Sequence, residues 1–354
     1  MNILDSIEIE NFRCLRKIRI DNIKPITLVS GKNNAGKTSL LDAVYFANKI
    51  NKPDMLIQLH NTRGVRLNTL TPENLWGDFF YDRNIDNPCS ITEKIFGETV
   101  KLTSQTKKNL DDSSLQLKTS TNIISSVNYP LLVSDIVVGD EKASVTTSIT
   151  GDSSINQNVR GKAKAFIFPN VVYVDTHRQN NVNVIEYFGK IDIEGMTGRI
   201  VDVLKIIEPS IKDLSVVVIG GVSQIFALTS NSEKKIPIKS MGDGINRLLE
   251  MIITVIANAN SVILIDEIEN GFHYSIHKDL WKLLSMAALA VNSQLIATTH
   301  SYECISAAAA AVKECNLSDD FEYIRIDREK DSFILNYYDS KLLDNAVLNE
   351  VEVR

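Results

Sequence analysis

The sequence predicts an α/β protein built on a mostly parallel sheet covered on both faces. Three observations carry that expectation. The strand-like run at residues 26–29 enters a glycine-containing loop that opens a helix-like stretch at 38–48. The fully apolar run at 262–265 ends on two adjacent carboxylates, Asp266 and Glu267. From about residue 166 onward, strand and helix patterns alternate, as they do where helices cover a parallel sheet.

The elements follow in chain order. Residues 6–10, 16–20 and 26–29 read as three short strands separated by turn-like Asn11-Phe12 and Asp21-Asn22 segments. In the next stretch Leu40, Leu41, Val44 and Tyr45 have helical spacing. Residues 51–165 are rich in Asn, Ser, Thr and Asp, with short alternating runs such as 143–149, and read as an insertion of strands and loops. Its polar portion, 103–121, reads as an exposed loop or hairpin. The pattern then resumes with a strand at 171–174, a helix at 195–207 and strands at 214–219 and 225–228. A helix from Asp243 places Ile245, Leu248, Leu249, Ile252 and Ile256 on one face. The apolar strand 262–265, a helix at 275–291, a strand at 294–297 and an Ala-rich helix at 305–313 come next. Strands at 322–326 and 333–337 and a last helix complete the series. The expected divisions are therefore 1–50, the first part of the core; 51–165, the insertion; and 166–354, the rest of the core.

Composition narrows the partners. A chain of 354 residues with 44% hydrophobic content can bury a large core. Four scattered cysteines, Cys14, Cys89, Cys304 and Cys315, form no CxxC pair and read as buried thiols of a reducing compartment. The first ten residues lack the order of a signal peptide, and the longest apolar stretch, 245–259, is broken by Asn246, Arg247 and Glu250. A cytoplasmic protein without a membrane span is expected. The net charge of -6 excludes a broadly basic nucleic-acid binder, so contact with DNA would need a local patch or a partner.

Two motifs carry chemistry. Gly31-Lys-Asn-Asn-Ala-Gly36-Lys37-Thr38 matches G-x-x-x-x-G-K-[ST] between a strand and a helix, the context the motif requires. Backbone N–H groups from Gly31, Asn33, Asn34, Ala35, Gly36, Lys37, Thr38 and Ser39 are candidates to hold phosphate oxygens at a helix N-terminus. Lys37 is placed to bridge the outer phosphates of ATP, and the Thr38 hydroxyl to bind Mg2+. The second motif is the 262–265 strand with its carboxylates at the C-terminal end, where ligands collect in open parallel sheets. Asp266 suits the Mg2+ shell, and Glu267 suits the orientation and deprotonation of an attacking water. A surface turn would also produce such an acidic pair; the phosphate loop is what makes the pair chemically meaningful.

In these motifs the chain resembles the ATP-binding-cassette class of ATPases, in the non-transporter branch that holds the SMC, RecF and OLD-type proteins. The resemblance rests on Ile7-Glu-Ile-Glu-Asn-Phe-Arg13, the phosphate loop, Ser240-Met-Gly242-Asp-Gly244-Ile-Asn-Arg247, Asp266-Glu-Ile-Glu-Asn-Gly271 and Thr298-Thr-His300-Ser301, in family order. It implies an ABC-type P-loop NTPase with a mixed sheet, an N-terminal antiparallel β subdomain and a polar α/β insertion between phosphate loop and signature. It further implies that Ser240 and Gly242 close over the γ-phosphate of ATP held by another subunit, so that a homodimer, or a higher oligomer of dimers, completes the site. His300 takes the place of a γ-phosphate-sensing histidine, and Arg13 that of a residue near the nucleotide, although a surface Arg after a strand fits equally. An ATPase follows, with ATP and Mg2+ as its ligands.

For the biological role, the OLD-type resemblance implies a switch controlling a separate effector, a TOPRIM-type nuclease or a toxin, in bacterial defence against phage. Since the chain ends at Arg354, the effector is expected to be a separate protein. The competing readings are a RecF- or SMC-like DNA-repair ATPase and an ATP-binding scaffold with little turnover. Sustained heptads are absent from the sequence, which disfavours a long coiled-coil arm. SMGDG in place of a transporter's longer signature disfavours a transporter subunit. The glutamine that such enzymes place near the nucleotide stays open among Gln58, Gln105, Gln116 and Gln157. His273 and His277 have i, i+4 spacing but no third metal ligand, and the segment from Tyr173 to Arg178 reads equally as nucleotide lining or strand-end loop.

Overall fold

The structure, a computed structural model, describes residues 2–61, 76–107, 131–149, 155–161, 168–174, 182–349 and 351–353. Its centre is a six-stranded sheet. The strands are β3 (Ile26–Ser30), β9 (Asn170–Val174), β13 (Ser261–Ile265), β14 (Gln294–Thr298), β15 (Phe321–Glu329) and β16 (Ser332–Tyr338), in the order β16-β15-β3-β14-β13-β9. All neighbours are parallel except the β15–β16 hairpin, so the sheet is mixed.

Every residue of β3, β13 and β14 is buried, which is why these strands read as continuous apolar runs. Their side chains nevertheless alternate between two cores. Val29, Val262, Leu264 and Ile296 enter one; Ile26, Leu28, Ile263, Ile265, Leu295 and Ala297 enter the other.

The first core lies against a seven-stranded antiparallel sheet. It contains β1 (Leu4–Phe12), β2 (Leu15–Ile20), β4 (Cys89–Ile95), β5 (Glu98–Lys107), β6 (Leu131–Val138), β7 (Glu141–Ile149) and β8 (Ile155–Gly161), in the order β2-β1-β4-β5-β6-β7-β8. Strands β4 to β8 thus extend the sheet that the N-terminal strands begin, through the pairing of β1 with β4. The helix α1 (Lys37–Lys49) is packed into this core through Leu40, Leu41, Val44 and Phe46, and α2 (Asp54–Asn61) follows it. Phe12 remains in β1 and pairs with Leu15, so the turn is at Arg13 and Cys14, two residues later than the sequence predicts. Of the polar portion 103–121, residues 103–107 belong to β5, and the rest is outside the described residues.

The second core is covered by helices. Helix α3 (Val182–Ile193) precedes α4 (Thr197–Leu204), which is shorter than the helix expected at 195–207. Helix α3 is absent from the sequence expectation, although its Val184, Phe188 and Ile191 recur at helical spacing and are all buried. A small sheet of β10 (Ile211–Ile219), β11 (Val222–Thr229) and β12 (Ile236–Pro237) then leads to α5 (Asp243–Ala257), which buries Ile245, Leu248, Leu249 and Ile252. Helices α6 (His277–Ala290), α7 (Tyr302–Glu314) and α8 (Ser340–Leu348) complete this layer. Among the described residues no helix is long and apolar enough to cross a membrane.

Candidate functional site

The site forms at the C-terminal ends of three adjacent parallel strands: β3, β14 and β13. Past β3, the loop turns through Gly31 (φ 147°), Asn34 (φ 66°) and Gly36 (φ 92°) before α1 begins. At Gly31 a Cβ would run into the carbonyl oxygen of Ile326 on β15, and at Gly36 it would come within 2.6 Å of Leu15. Glycine is therefore required twice, for backbone angle and for space. Lys32, Asn33 and Asn34 are exposed, whereas Ala35, Gly36, Lys37 and Ser39 are buried and Thr38 half-buried. The Nζ of Lys37 donates to the carbonyls of Gly31 (2.7 Å) and Lys32 (3.2 Å). Burial lowers the pKa of Lys37, an effect opposed by the nearby carboxylates Asp266, Glu267 and Glu269.

Strand β13 delivers Asp266. In the parallel register Ile265 lies beside Ala297, so the next residues, Asp266 and Thr298, also face each other. The Thr298 hydroxyl donates to Asp266 Oδ1 at 2.5 Å and accepts the backbone N–H of Glu267 at 2.9 Å. Burial raises the Asp266 pKa, while hydrogen bonds from Thr298 and Thr38 pull it down. Glu267 adopts a left-handed backbone, φ 47°, and its carbonyl accepts from Arg247 on α5 at 3.1 Å. Arg247 also lies over the Phe272 ring, with 5.5 Å to its centroid.

Strand β14 delivers His300. Its Nδ1 is 3.7 Å from Glu267 Oε1 and 3.2 Å from Glu269 Oε1, and the latter oxygen also accepts the His300 backbone N–H at 2.9 Å. Ser301 then caps α7, accepting from the Cys304 N–H at 3.2 Å.

Arg13 is not a surface residue. Its side chain, 8% exposed, forms an ion pair with the fully buried Asp42 of α1 at 3.2 Å and lies over the Phe12 and Phe79 rings. It therefore braces the helix that the phosphate loop opens. Beside that loop is a cavity of about 560 Å³ lined by Arg13, Cys14, Asn34, Ser39, Tyr81 and Arg328.

Ser240 and Gly242 lie at the entry to α5 and not at a strand end. Ser240 lies in a single 3-10 turn (Ile238–Met241), Gly242 (φ 110°) precedes α5, and both are exposed. A Cβ at Gly242 would meet nothing within 4 Å. Of the candidate glutamines, Gln157 donates to the Ile50 carbonyl and Thr147, Gln58 is exposed on α2, Gln105 is on β5, and Gln116 is outside the described residues. His273 and His277 do not share a helix face: exposed His273 caps a 3-10 turn, and His277 opens α6, buried, with its pKa lowered by burial. No cluster suited to a metal ion occurs among the described residues. Of the segment Tyr173 to Arg178, residues 175–178 are outside the described residues.

Four residues gained a place that sequence reasoning had not assigned: Asp42, Arg247, Glu269 and Thr298. Three of them lie within the strings that carried the family resemblance. Asp42 has no local signal, because its partner is 29 positions earlier.

These features coincide with a known family. Residues 26–306 match the family model described as "AAA domain, putative AbiEii toxin, Type IV TA system". The chain belongs to this family. It is similar to a Helicobacter pylori (strain ATCC 700392 / 26695) "ATP/GTP phosphatase", 21% identical over 342 residues that cover 88% of this chain and 89% of the relative. A 44-residue stretch is 43% identical to the DNA replication and repair protein RecF of Acholeplasma laidlawii (strain PG-8A), covering 12% of this chain and 13% of that protein. Among solved structures, an SMC head bound to the C-winged helix domain of ScpA superposes with a TM-score of 0.51 at 13% identity, covering 98% of this chain and 100% of the head. The fold is thus that of the ABC-type P-loop ATPases, as in the SMC head.

Proposed function

We propose that the chain is an ATP-hydrolysing switch in which two copies close around two ATP molecules and reopen on hydrolysis. The observation that carries this reading is a division of the site. Lys37, Asp266, Glu267 and His300 gather at neighbouring strand ends, while Ser240 and Gly242 stay exposed at the entry to α5. A second copy, related by a two-fold axis, would bring its Ser240 and Gly242 to the phosphates held by the first.

On this reading the backbone N–H groups from Gly31 to Ser39 hold the phosphates, and Lys37 exchanges its loop carbonyls for phosphate oxygens. The cavity beside Arg13 and Arg328 has a volume suited to the nucleoside end. Thr38 and Asp266 fit Mg2+: both are hard oxygen donors, they hydrogen-bond each other, and Asp266 carries a desolvation cost that a cation would offset. Bound there, Mg2+ would neutralise charge on the phosphates. Glu267, 38% exposed, is the acid left to orient and deprotonate water, and His300 is the residue left to meet the γ-phosphate.

The experiment is phosphate release by wild type and Lys37→Ala, together with sedimentation of Glu267→Gln with and without ATP. The expected result is release that Lys37→Ala abolishes, and a doubling of mass of Glu267→Gln only with ATP. Equal release by wild type and Lys37→Ala would sink the hydrolytic reading; an unchanged mass would sink the sandwich.

What the switch governs is proposed more finely: a separate effector, nuclease or toxin, in bacterial antiphage defence. The family description, which names a putative toxin of a toxin–antitoxin system, supports a toxin–antitoxin setting and names no separate effector. The short RecF match favours a second reading, a DNA-repair ATPase. Phosphate release stimulated severalfold by duplex DNA alone would select the second over the first.

A further inference from the structure

The hydrolytic scheme leaves Glu269 without a task, yet it is the most deeply placed acid around His300. Its side chain is 8% exposed, against 38% for Glu267 and 51% for His300. One oxygen, Oε1, accepts the His300 backbone N–H at 2.9 Å and is 3.2 Å from the ring Nδ1. The other, Oε2, is buried with no hydrogen-bond partner among the described residues. A buried polar atom left unpaired carries an uncompensated desolvation cost. A leucine would fill the same place without that cost, so what the carboxylate supplies here is its hold on His300.

We propose that Glu269 is a positioning residue for His300: one carboxylate holds both the backbone N–H and the ring Nδ1–H, leaving Nε2 as the nitrogen presented to the nucleotide. The role assigned to His300 rests on the ATPase reading above; the Glu269–His300 link does not. The ring chemistry is constrained from two sides. Nδ1 has carboxylate oxygens of Glu269 at 3.2 Å and Glu267 at 3.7 Å, and only a protonated nitrogen is attracted to either. In the neutral ring this puts the single proton on Nδ1 and makes Nε2 the acceptor; in the doubly protonated ring Nε2 becomes a donor with Nδ1 still held. A ring fixed at both its main chain and its edge also loses less freedom when the γ-phosphate arrives. Because Glu269 takes Nδ1, Glu267 is not needed as its partner and stays available for water.

The link is tested on the full chain with imidazole ¹⁵N spectra, at a pH where the ring is neutral, and then by kinetics. The five histidines are separated by a His300→Gln sample. The expected result is an Nδ1–H tautomer at His300 in wild type, shifted toward Nε2–H in Glu269→Leu. Glu269→Gln, which keeps an acceptor oxygen, should shift it less. In phosphate release, Glu269→Leu should lower kcat about 10- to 100-fold with KM within about threefold. In the His300→Gln background it should cost almost nothing further. A wild-type Nε2–H tautomer, or losses that multiply in the double variant, would overturn the proposal. Should the tautomer shift as expected while wild type releases no more phosphate than Lys37→Ala, the link stands and the ATPase reading falls.

Discussion

Replacing Glu93 by glutamine should stabilise the protein, and by more as the pH rises. Glu93 sits on β4 with Cys89, Ile91 and Ile95 on the buried face, 2% exposed, inside the core beneath α1. It accepts from the side-chain amide of Asn48 at 2.9 and 3.1 Å, and burial raises its pKa from the ordinary 4.5 to about 8. The amide oxygen of Asn48, Oδ1, is buried with no hydrogen-bond partner among the described residues. A folded pKa above the unfolded one means that the native state holds a proton that the unfolded chain has released. Stability from this group is therefore complete below about pH 4.5 and is lost as pH rises to about 8. At about 1.4 kcal/mol per pH unit, the cost carried by wild type at pH 7 is about 3 kcal/mol, and about 5 kcal/mol above pH 8. Glu93→Gln keeps the shape and the acceptor oxygen without the ionisation. Urea unfolding of wild type and variant at pH 5, 6.5 and 8 should therefore show a gap that widens with pH in the variant's favour. A gap that is constant, or that closes as pH rises, would refute a neutral buried Glu93.

Two further outcomes follow from the site. Gly31→Ala should leave phosphate release undetectable and lower the melting temperature by a few degrees, because the new methyl meets the Ile326 carbonyl at a backbone angle that costs about 1–3 kcal/mol; wild-type release by this variant would refute the close approach of β15. Thr298→Val should lower kcat about 10- to 100-fold with KM nearly unchanged, since a hydrogen bond to a charged group is worth about 1.5–3 kcal/mol, whereas Thr298→Ser should stay within about fivefold of wild type. Equal losses in Val and Ser would show that packing, not the hydroxyl, matters.

The parts of the fold that were legible from sequence are those whose signal is local. The strand and helix around Gly31 to Lys37, the apolar run into Asp266 and the apolar face of α5 each state their burial in a short window. The antiparallel sheet is different: β4 pairs with β1 some 80 positions away in sequence, and nothing in either strand's alternation says which neighbour it will take. Glu93 was detectable in principle as a charge in the inward register of Cys89, Ile91 and Ile95, but alternation alone cannot say whether such a residue is neutralised or bonded. The site divides the same way. Lys37 and the acidic pair are recognisable by type and spacing, whereas Arg13–Asp42, Arg247–Glu267 and Glu269–His300 are contacts between elements that only the packed fold defines.

Those contacts show how one residue, Glu267, is held in an unusual conformation. A non-glycine residue at φ 47° is strained on its own, and such strain persists only where the surroundings over-determine it. Here the surroundings come from opposite sides. The N–H of Glu267 is taken by the Thr298 hydroxyl, which simultaneously fixes Asp266, so the β13–β14 register sets the relative position of the two acids. The carbonyl is taken by Arg247, whose helix is entered through the exposed segment of Ser240 and Gly242. On the proposed reading, that segment engages the ATP of a second copy, so the helix touched by one nucleotide is the helix that holds the catalytic acid of the other site. A rigid α5 needs no chain of intermediate side chains to connect them: a displacement at its first turn reaches Arg247 within the next turn, and through it the backbone of Glu267.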